Sequence, residues 1–128
     1  MPEPAAPVAA EGIVRFAPRG RIEGAAARAL GVAFRDALRG PGARWLVDLR
    51  LATFVDSLAL GEIATFARAL RTAGGDVVLC GPPPGVRRAF EITGLHHVLD
   101  IADDEESALQ WLRALPSEDD SPARDVAP

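Results

Sequence analysis

The sequence predicts an α/β fold: a single domain with a mostly parallel, mixed sheet of four to five strands and about four helices. Apolar runs of strand length alternate with longer segments in which apolar residues recur every three to four positions. Clusters of glycine and proline separate these segments. Because helices of this length can carry the chain back across a sheet, neighbouring strands are expected to run parallel, although the first pair is free to be antiparallel.

Length and composition fit one domain with two tails. The chain has 128 residues, of which 48% are hydrophobic, and this is enough for one core. Residues 1–10 are rich in proline and alanine, residues 116–128 are rich in proline, serine and aspartate, and neither stretch has a period. We therefore expect a domain over residues 11–115 between two flexible tails.

The first part of the domain is predicted to contain two extended pieces and a helix. Residues 13–17 have the pattern of a strand, which Pro18-Arg19-Gly20 ends before a short extended piece through Ile22. Residues 25–39 place their large apolar side chains on one helical face and arginines on the other. Gly40-Pro41-Gly42 ends this helix.

The middle of the chain contains the most regular patterns. Residues 45–49 are mostly apolar and predict a central strand, and residues 53–55 continue the apolar approach to Asp56. A second helix is predicted over residues 57–72, and Gly74-Gly75 stops it.

The last third is predicted to hold two strands and two helices. Residues 76–80 are expected to form a buried strand and residues 86–93 a short helix. Residues 98–101 predict a final short strand. Asp103 is expected to start the last helix, because Glu106 follows it at the spacing of a capping box.

The second helix has one large apolar residue that its core face does not explain. At about 100° per residue, six apolar side chains share one arc, namely Leu60, Ile63, Ala64, Phe66, Ala67 and Leu70. Leu58 falls on the opposite, polar side. We therefore predict that Leu58 is exposed and contacts a partner.

Ser57 stands at the start of this helix, and two interpretations of its hydroxyl stay open. As an N-cap, it accepts a backbone N–H of the first turn and contributes about 1 kcal/mol. As a phosphoacceptor, it carries a phosphate that the helix dipole and the unpaired first-turn N–H groups can accommodate. The phosphate would add a charge of about −1.5 to −2 beside Asp56 and Glu62, so the fold would persist while the interface changed.

Five stretches, taken in order, carry a resemblance to a known family. Two are Leu46-Val47-Asp48-Leu49 and Phe54-Val55-Asp56-Ser57-Leu58-Ala59-Leu60-Gly61. The others are Gly20-Arg21-Ile22-Glu23, Val77-Val78-Leu79-Cys80-Gly81-Pro82-Pro83-Pro84 and Val86-Arg87-Arg88-Ala89-Phe90-Glu91-Ile92-Thr93-Gly94-Leu95. Together they extend over about residues 12–115, and they resemble STAS domains, the family of the anti-sigma-factor antagonists.

The resemblance implies a module that binds a partner protein and is not an enzyme. In the best-understood members of the family the partner is an anti-sigma factor with serine-kinase activity. This kinase phosphorylates the serine after the aspartate, here Ser57, and a separate phosphatase resets the system. The resemblance also implies an acidic position near the site, occupied here by Glu23. The expected partner-binding residues are Glu23, Asp56, Ser57, Leu58, Gly61 and Glu62.

Two positions depart from the family pattern. Leu58 and Ala59 stand where the family often has serine or threonine followed by glycine. The leucine makes the surface more apolar, and the alanine removes backbone freedom from the first turn. An alternative therefore stays open: a STAS scaffold or transport-complex subunit that phosphorylation does not control.

Charge and hydropathy give little support to other classes of partner. The net charge is −4, all 14 basic residues are arginine, and they are interleaved with acids, so nucleic-acid binding is not expected. No apolar stretch approaches the roughly 20 residues that span a bilayer, so membrane insertion is not expected. Residues 1–10 lack the pattern of a signal peptide, which predicts a cytoplasmic protein.

No catalytic residue, metal ligand or cofactor site is predicted. Ser57 lacks the Gly-x-Ser-x-Gly pattern of a hydrolase nucleophile. His96 and His97 are adjacent, and in a strand they would point to opposite faces. Cys80 lies in an apolar run, where a buried, inert thiol is expected. Prolines remove backbone donors from the loop at residues 81–85, so it is not expected to cradle a phosphate.

Overall fold

The computed structural model describes residues 7–40 and 43–115 of the chain. Within them the chain forms seven strands: β1 (Val8–Ala10), β2 (Ile13–Phe16), β3 (Gly20–Ile22), β4 (Arg44–Asp48), β5 (Ala52–Val55), β6 (Asp76–Cys80) and β7 (Asp100–Ala102). The same residues form four helices: α1 (Ala25–Ala37), α2 (Ser57–Thr72), α3 (Pro84–Ile92) and α4 (Glu105–Ala114). A 3₁₀ turn, Leu95–His97, precedes β7.

The main sheet has five strands in the order β1-β2-β4-β6-β7. β1 and β2 are antiparallel, and every other neighbouring pair in this sheet is parallel. The predicted α/β fold class is therefore confirmed. The first two predicted strands do not pair with each other: β2 pairs with β1 and β4, and β3 pairs with β5. β3 and β5 form a separate two-stranded parallel sheet.

Helices cover both faces of the main sheet because its central strands are apolar on both sides. On β4, Trp45 and Val47 face the cluster that contains residues of α1, α2 and α3, whereas Leu46 faces the cluster with α4. This alternation is that of a strand buried between two layers. The rings of Phe34 on α1 and Phe66 on α2 stack with centroids 4.1 Å apart, which joins the two helices above the sheet.

The segment that was predicted to be an N-terminal tail contains a strand. Val8–Ala10 forms β1, and Glu11 and Gly12 turn the chain back into β2 with φ angles of 56° and 79°. Three residues are too few to show a period, so the sequence pattern did not indicate this strand. Residues 1–6, Pro41, Gly42 and residues 116–128 lie outside the described residues, and with them the rest of both predicted tails.

Residues 53–55, which were expected to continue the apolar approach to Asp56, form part of β5 and belong to a different sheet from β4. After β4 the chain turns at Arg50 and Leu51, and Ala52–Val55 then pairs with β3. The N–H of Gly20 donates to the carbonyl of Leu51 at 2.8 Å. The pairing depends on residues about 30 positions earlier in the chain, so local apolar runs did not separate the two strands.

Two predictions near the C-terminal end were wrong in detail. Residues 98–101 were expected to form one strand, but the 3₁₀ turn comes first and the strand is Asp100–Ala102. The last helix is capped by Asp104, not Asp103, because the Asp104 carboxylate accepts from the N–H of Ser107 at 2.7 Å. Asp103 instead pairs with Arg87 of α3 at 3.0 Å.

Candidate functional site

Asp56, and not Ser57, is the N-cap of α2. The backbone of Asp56 is extended, with φ −90° and ψ 179°, and its Oδ1 accepts from the N–H of Ala59 at 2.8 Å. The interpretation of Ser57 as the N-cap was therefore wrong by one residue. Aspartate and serine are similarly good caps, so the sequence alone did not choose between two adjacent candidates.

The same carboxylate joins two segments of the chain. Oδ2 of Asp56 accepts from the backbone N–H of Gly24 at 3.0 Å, and the N–H of Asp56 donates to the carbonyl of Ile22 at 3.2 Å. Gly24 has a positive φ of 55°, which glycine adopts without the strain of a side chain. The segment before α1 and the start of α2 are therefore held side by side through Asp56.

These hydrogen bonds keep Asp56 charged. Backbone donors, Ala59 first and Gly24 second, hold the pKa of the Asp56 carboxyl below its ordinary value. Each donor stabilises the carboxylate form and not the neutral acid. A fixed negative charge therefore stands immediately before Ser57.

Ser57 is the first residue of α2, and its side chain is exposed. Because Asp56 supplies the cap, the helix start does not depend on the Ser57 hydroxyl. The structure thus places an accessible hydroxyl at the positive end of a helix of 16 residues, next to a carboxylate.

Leu58 and Ala59 have opposite environments. Leu58 is 40% exposed, which confirms the prediction that it lies outside the core. Ala59 is completely buried and belongs to the core cluster. The two positions that depart from the family pattern therefore act differently: Leu58 adds apolar surface beside Ser57, and Ala59 fills the core beneath the first turn.

Glu23 is fixed by a neighbouring arginine. Its two carboxylate oxygens accept from the Arg21 guanidinium at 2.9 and 3.2 Å. That guanidinium also lies 4.5 Å from the ring centroid of Phe54, its register partner across the β3–β5 pair. Phe54 is 38% exposed, so this stack is part of the surface next to the start of α2. Neither Arg21 nor Phe54 was predicted to be a site residue, because their contact depends on strand pairing.

Gly61 and Glu62, both predicted to contact a partner, face different directions. Gly61 is exposed, and a Cβ added there would meet nothing within 4 Å. The Glu62 side chain is only 19% exposed, because it lies over Gly31 of α1 and pairs with Arg35 at 3.3 Å. The structure therefore groups Asp56, Ser57, Leu58 and Gly61 along the start of α2 and turns Glu62 toward α1.

The remaining candidates do not form a second site in the described part of the chain. His96 and His97 lie in the 3₁₀ turn with ring centroids 3.9 Å apart, so the expectation of opposite strand faces was wrong. No group of three or more metal-binding side chains is found among the described residues. Burial raises the pKa of the Cys80 thiol to about 12, as expected for an inert cysteine. None of the described helices is long and apolar enough to cross a membrane.

The fold and the helix start define a small α/β domain in which an exposed serine, Ser57, follows the aspartate that caps the helix, Asp56. The family model described as "Mlab, STAS domain" matches residues 14–101. The chain belongs to the STAS domain family.

Two curated relatives carry names of anti-sigma factor antagonists. BtrV of Bordetella bronchiseptica is named provisionally as an anti-sigma factor antagonist. It is 34% identical to this chain over 65 residues, which are 51% of this chain. The anti-sigma F factor antagonist of Paenibacillus polymyxa is 30% identical over 70 residues, which are 55% of this chain. The chain spans 56% and 60% of the lengths of these two relatives.

Solved structures confirm the fold over most of the chain. A Thermotoga maritima protein described provisionally as an anti-sigma factor antagonist has a TM-score of 0.78 at 22% identity. The match covers 85% of this chain and 94% of the Thermotoga chain. The structure of SpoIIAA in its unphosphorylated form has a TM-score of 0.71 at 20% identity, and the match covers 87% of this chain and 97% of SpoIIAA. The structure of Bacillus SpoIIAA in its phosphorylated form has a TM-score of 0.66 at 21% identity, and the match covers 85% of this chain and 99% of SpoIIAA.

Proposed function

We propose that this chain is an anti-sigma-factor antagonist that binds an anti-sigma factor with serine-kinase activity and is switched by phosphorylation of Ser57. The observation that carries the proposal is the position of Ser57 directly after the Asp56 cap. Its hydroxyl is exposed and is not needed to cap α2, so a kinase can modify it without removing a structural hydrogen bond.

The switch is electrostatic. Phosphorylation adds a charge of about −1.5 to −2 next to the carboxylate of Asp56. A partner surface that accepts Leu58 and a neutral hydroxyl then meets a doubly charged group, and like-charge contact or desolvation weakens the complex. A phosphatase would restore the binding form. Because the anti-sigma factor itself binds a sigma factor, this cycle would take place in the cytoplasm.

Two comparisons support this proposal without testing it on this chain. Both curated relatives are named as anti-sigma factor antagonists, and SpoIIAA has been solved in an unphosphorylated and a phosphorylated form. The Asp56-Ser57 pair lies at the start of α2, within one of the five stretches that together carry the resemblance.

The direct test is phosphorylation by a cognate anti-sigma serine kinase, to be sought among the neighbours of the gene. The full-length protein is incubated with that kinase and Mg-ATP, and its intact mass is measured. We expect one phosphoryl group on the wild type and none on Ser57→Ala. Ser107→Ala is the matched control, because Ser107 is another exposed serine in the first turn of a helix, and it should be modified like the wild type. A wild-type protein that gains no mass contradicts the switch.

A second candidate is a STAS subunit of a transport complex that phosphorylation does not control. The exposed Leu58 favours it, because an apolar side chain beside Ser57 suits a constitutive interface. The description of the matching family model agrees with this second candidate. The fold of a Wolinella succinogenes sulfate transporter family protein agrees with it as well. That structure has a TM-score of 0.70 at 16% identity, and the match covers 83% of this chain and 88% of the Wolinella chain. A lipid-transport operon around the gene would favour this candidate, and a kinase with a sigma factor would favour the first.

A further inference from the structure

Glu23 lies across from Asp56, the residue that precedes Ser57. β3 and β5 are parallel and stay in register through Ile22. The N–H of Asp56 donates to the carbonyl of Ile22 at 3.2 Å, and the N–H of Gly24 donates to the Asp56 carboxylate at 3.0 Å. These two bonds stand on either side of Glu23. Since neighbouring strands are about 5 Å apart, Glu23 lies close to the start of α2.

Arg21 connects Glu23 with the surface in front of Ser57. Its guanidinium donates to both carboxylate oxygens of Glu23, at 2.9 and 3.2 Å, and lies 4.5 Å from the ring centroid of Phe54. Because β3 and β5 are parallel, the direction from Arg21 to Glu23 is also the direction from Phe54 to Ser57. The ion pair therefore extends toward Ser57 along a surface that the aromatic ring supports.

Arg21 is the only basic residue in β3, in β5 and in the first two turns of α2. Phosphorylation of Ser57 adds a charge of about −1.5 to −2 beside two carboxylates. Asp56 already accepts backbone N–H groups with both of its oxygens. The side chains of the Arg21–Glu23 pair are 62% and 43% exposed, and an exposed pair of this kind contributes little stability. A phosphoryl group, with more charge and three acceptor oxygens, is a stronger partner for the guanidinium than a carboxylate.

We propose that Arg21 is the counter-ion of phosphorylated Ser57, and that the phosphoryl group replaces Glu23 as the partner of its guanidinium. The ring of Phe54 supports the guanidinium in both states, so the exchange needs a rotation of one side chain and no change of the backbone. Glu23 is left without its cation, so phosphorylation changes the surface at two positions. The proposal rests on the proposed function and names the residue of this chain that responds to the modification.

The first test measures the pKa of the phosphate. The full-length chain is synthesised with phosphoserine at position 57, so that no kinase is needed, and ³¹P NMR follows the phosphate through its ordinary pKa of about 6. Arg21→Gln should raise this pKa by about half a unit or more, because a nearby cation favours the dianion.

Arg28→Gln and Arg88→Gln are the matched controls for this titration. Both arginines are exposed, and they lie on α1 and α3, the helices that pack against β3 and β5. Each control removes one positive charge and should change the pKa of the phosphate much less than Arg21→Gln does. Equal pKa values for wild type and Arg21→Gln would overturn the proposal, and so would an equal rise in either control.

The second test observes the exchange of partners. In the ¹⁵N-labelled, unphosphorylated chain, Glu23→Gln should shift the Nε–H resonance of Arg21, because the Glu23 carboxylate accepts this hydrogen. In the chain with phosphoserine at position 57, the same substitution should have a much smaller effect, since the guanidinium has left Glu23. Equal effects in the two forms would show that Arg21 keeps its carboxylate partner and would overturn the proposal.

The failure of this proposal and the failure of the proposed function give different results. If a cognate kinase phosphorylates Ser57 but Arg21→Gln leaves the pKa of the phosphate unchanged, the counter-ion proposal is wrong and the proposed function stands. If both tests of Arg21 give the expected results but no cognate kinase modifies Ser57, the proposed function is wrong. The response of Arg21 to a phosphate at this position then still stands.

Discussion

The backbone N–H of Gly24 donates to the side chain of Asp56 at 3.0 Å, and this bond joins residues 32 positions apart. The other oxygen of the same carboxylate caps α2 through Ala59. One aspartate therefore fixes both the start of the helix that presents Ser57 and the segment that presents Glu23. Four predictions about stability and reactivity follow from the geometry around this helix.

Asp56→Ala should lower the melting temperature at neutral pH, because it removes the cap and the bond to Gly24. Asp56→Asn should be milder, since an amide oxygen can still accept from Ala59. The pKa of Asp56 is lower in the folded than in the unfolded protein, so its contribution is complete above the ordinary pKa of about 3.9 and is lost as the pH falls through the folded value. Thermal unfolding at neutral and acidic pH should show the gap between wild type and Asp56→Asn closing in acid. A gap that widens there contradicts this role.

Gly61→Ala should stabilise the protein more than Gly31→Ala does. Alanine at Gly61 meets open space and should stabilise α2 by about 1 kcal/mol. Alanine at Gly31 would displace the Glu62 carboxylate, which lies at the end of a flexible side chain and can move aside, so the gain there should be smaller. Urea denaturation of both variants gives the two values. A larger gain from Gly31→Ala would mean that the packing of α1 on α2 differs from this structure.

Leu58→Asp should leave the melting temperature nearly unchanged, because Leu58 is 40% exposed. The matched variant Leu60→Asp places a carboxylate at a position that is only 6% exposed and should cost more than about 3 kcal/mol. Circular dichroism melts of the two variants test this contrast. Leu58→Asp should also weaken partner binding. A strong loss of stability in this variant would show instead that Leu58 belongs to the core and not to the binding surface.

Cys80 should resist alkylation in the native protein. Burial is the first cause that raises the pKa of its thiol to about 12, and the nearby Asp48 carboxylate is the second. Because the thiolate is the reactive form, iodoacetamide at pH of about 8 should modify the unfolded chain much faster than the folded one. Mass spectrometry with and without denaturant measures the difference. Equal rates would show that the thiol is accessible.

The elements that carry the site could be predicted from local sequence. α2 begins at Ser57 and ends at Thr72 as expected, because a strong apolar period ends before the Gly74-Gly75 stop. β6 begins at Asp76 and ends at Cys80 for a similar reason, since an apolar run lies between two glycine-containing turns. The exposure of Leu58 followed from the phase of α2 alone.

Features that depend on pairing between distant segments were not predictable. The separate β3–β5 sheet needs residues from two parts of the chain, and so does the stack of Arg21 on Phe54. Glu62 lies on the polar side of α2 by its period, yet the missing side chain of Gly31 lets it turn toward α1. A pattern within one helix carries no information about the neighbouring helix.

The most direct test of the proposed switch compares the affinity of the cognate anti-sigma kinase for two forms of the full-length chain in the presence of ADP. One form is unphosphorylated, and the other has phosphoserine incorporated at position 57 during synthesis. Isothermal titration should show tight binding of the first form and a loss of at least about tenfold for the second, because like-charge contact and desolvation both oppose it. Circular dichroism should show the same fold for both. Equal affinities of the two forms would contradict control of partner binding at Ser57.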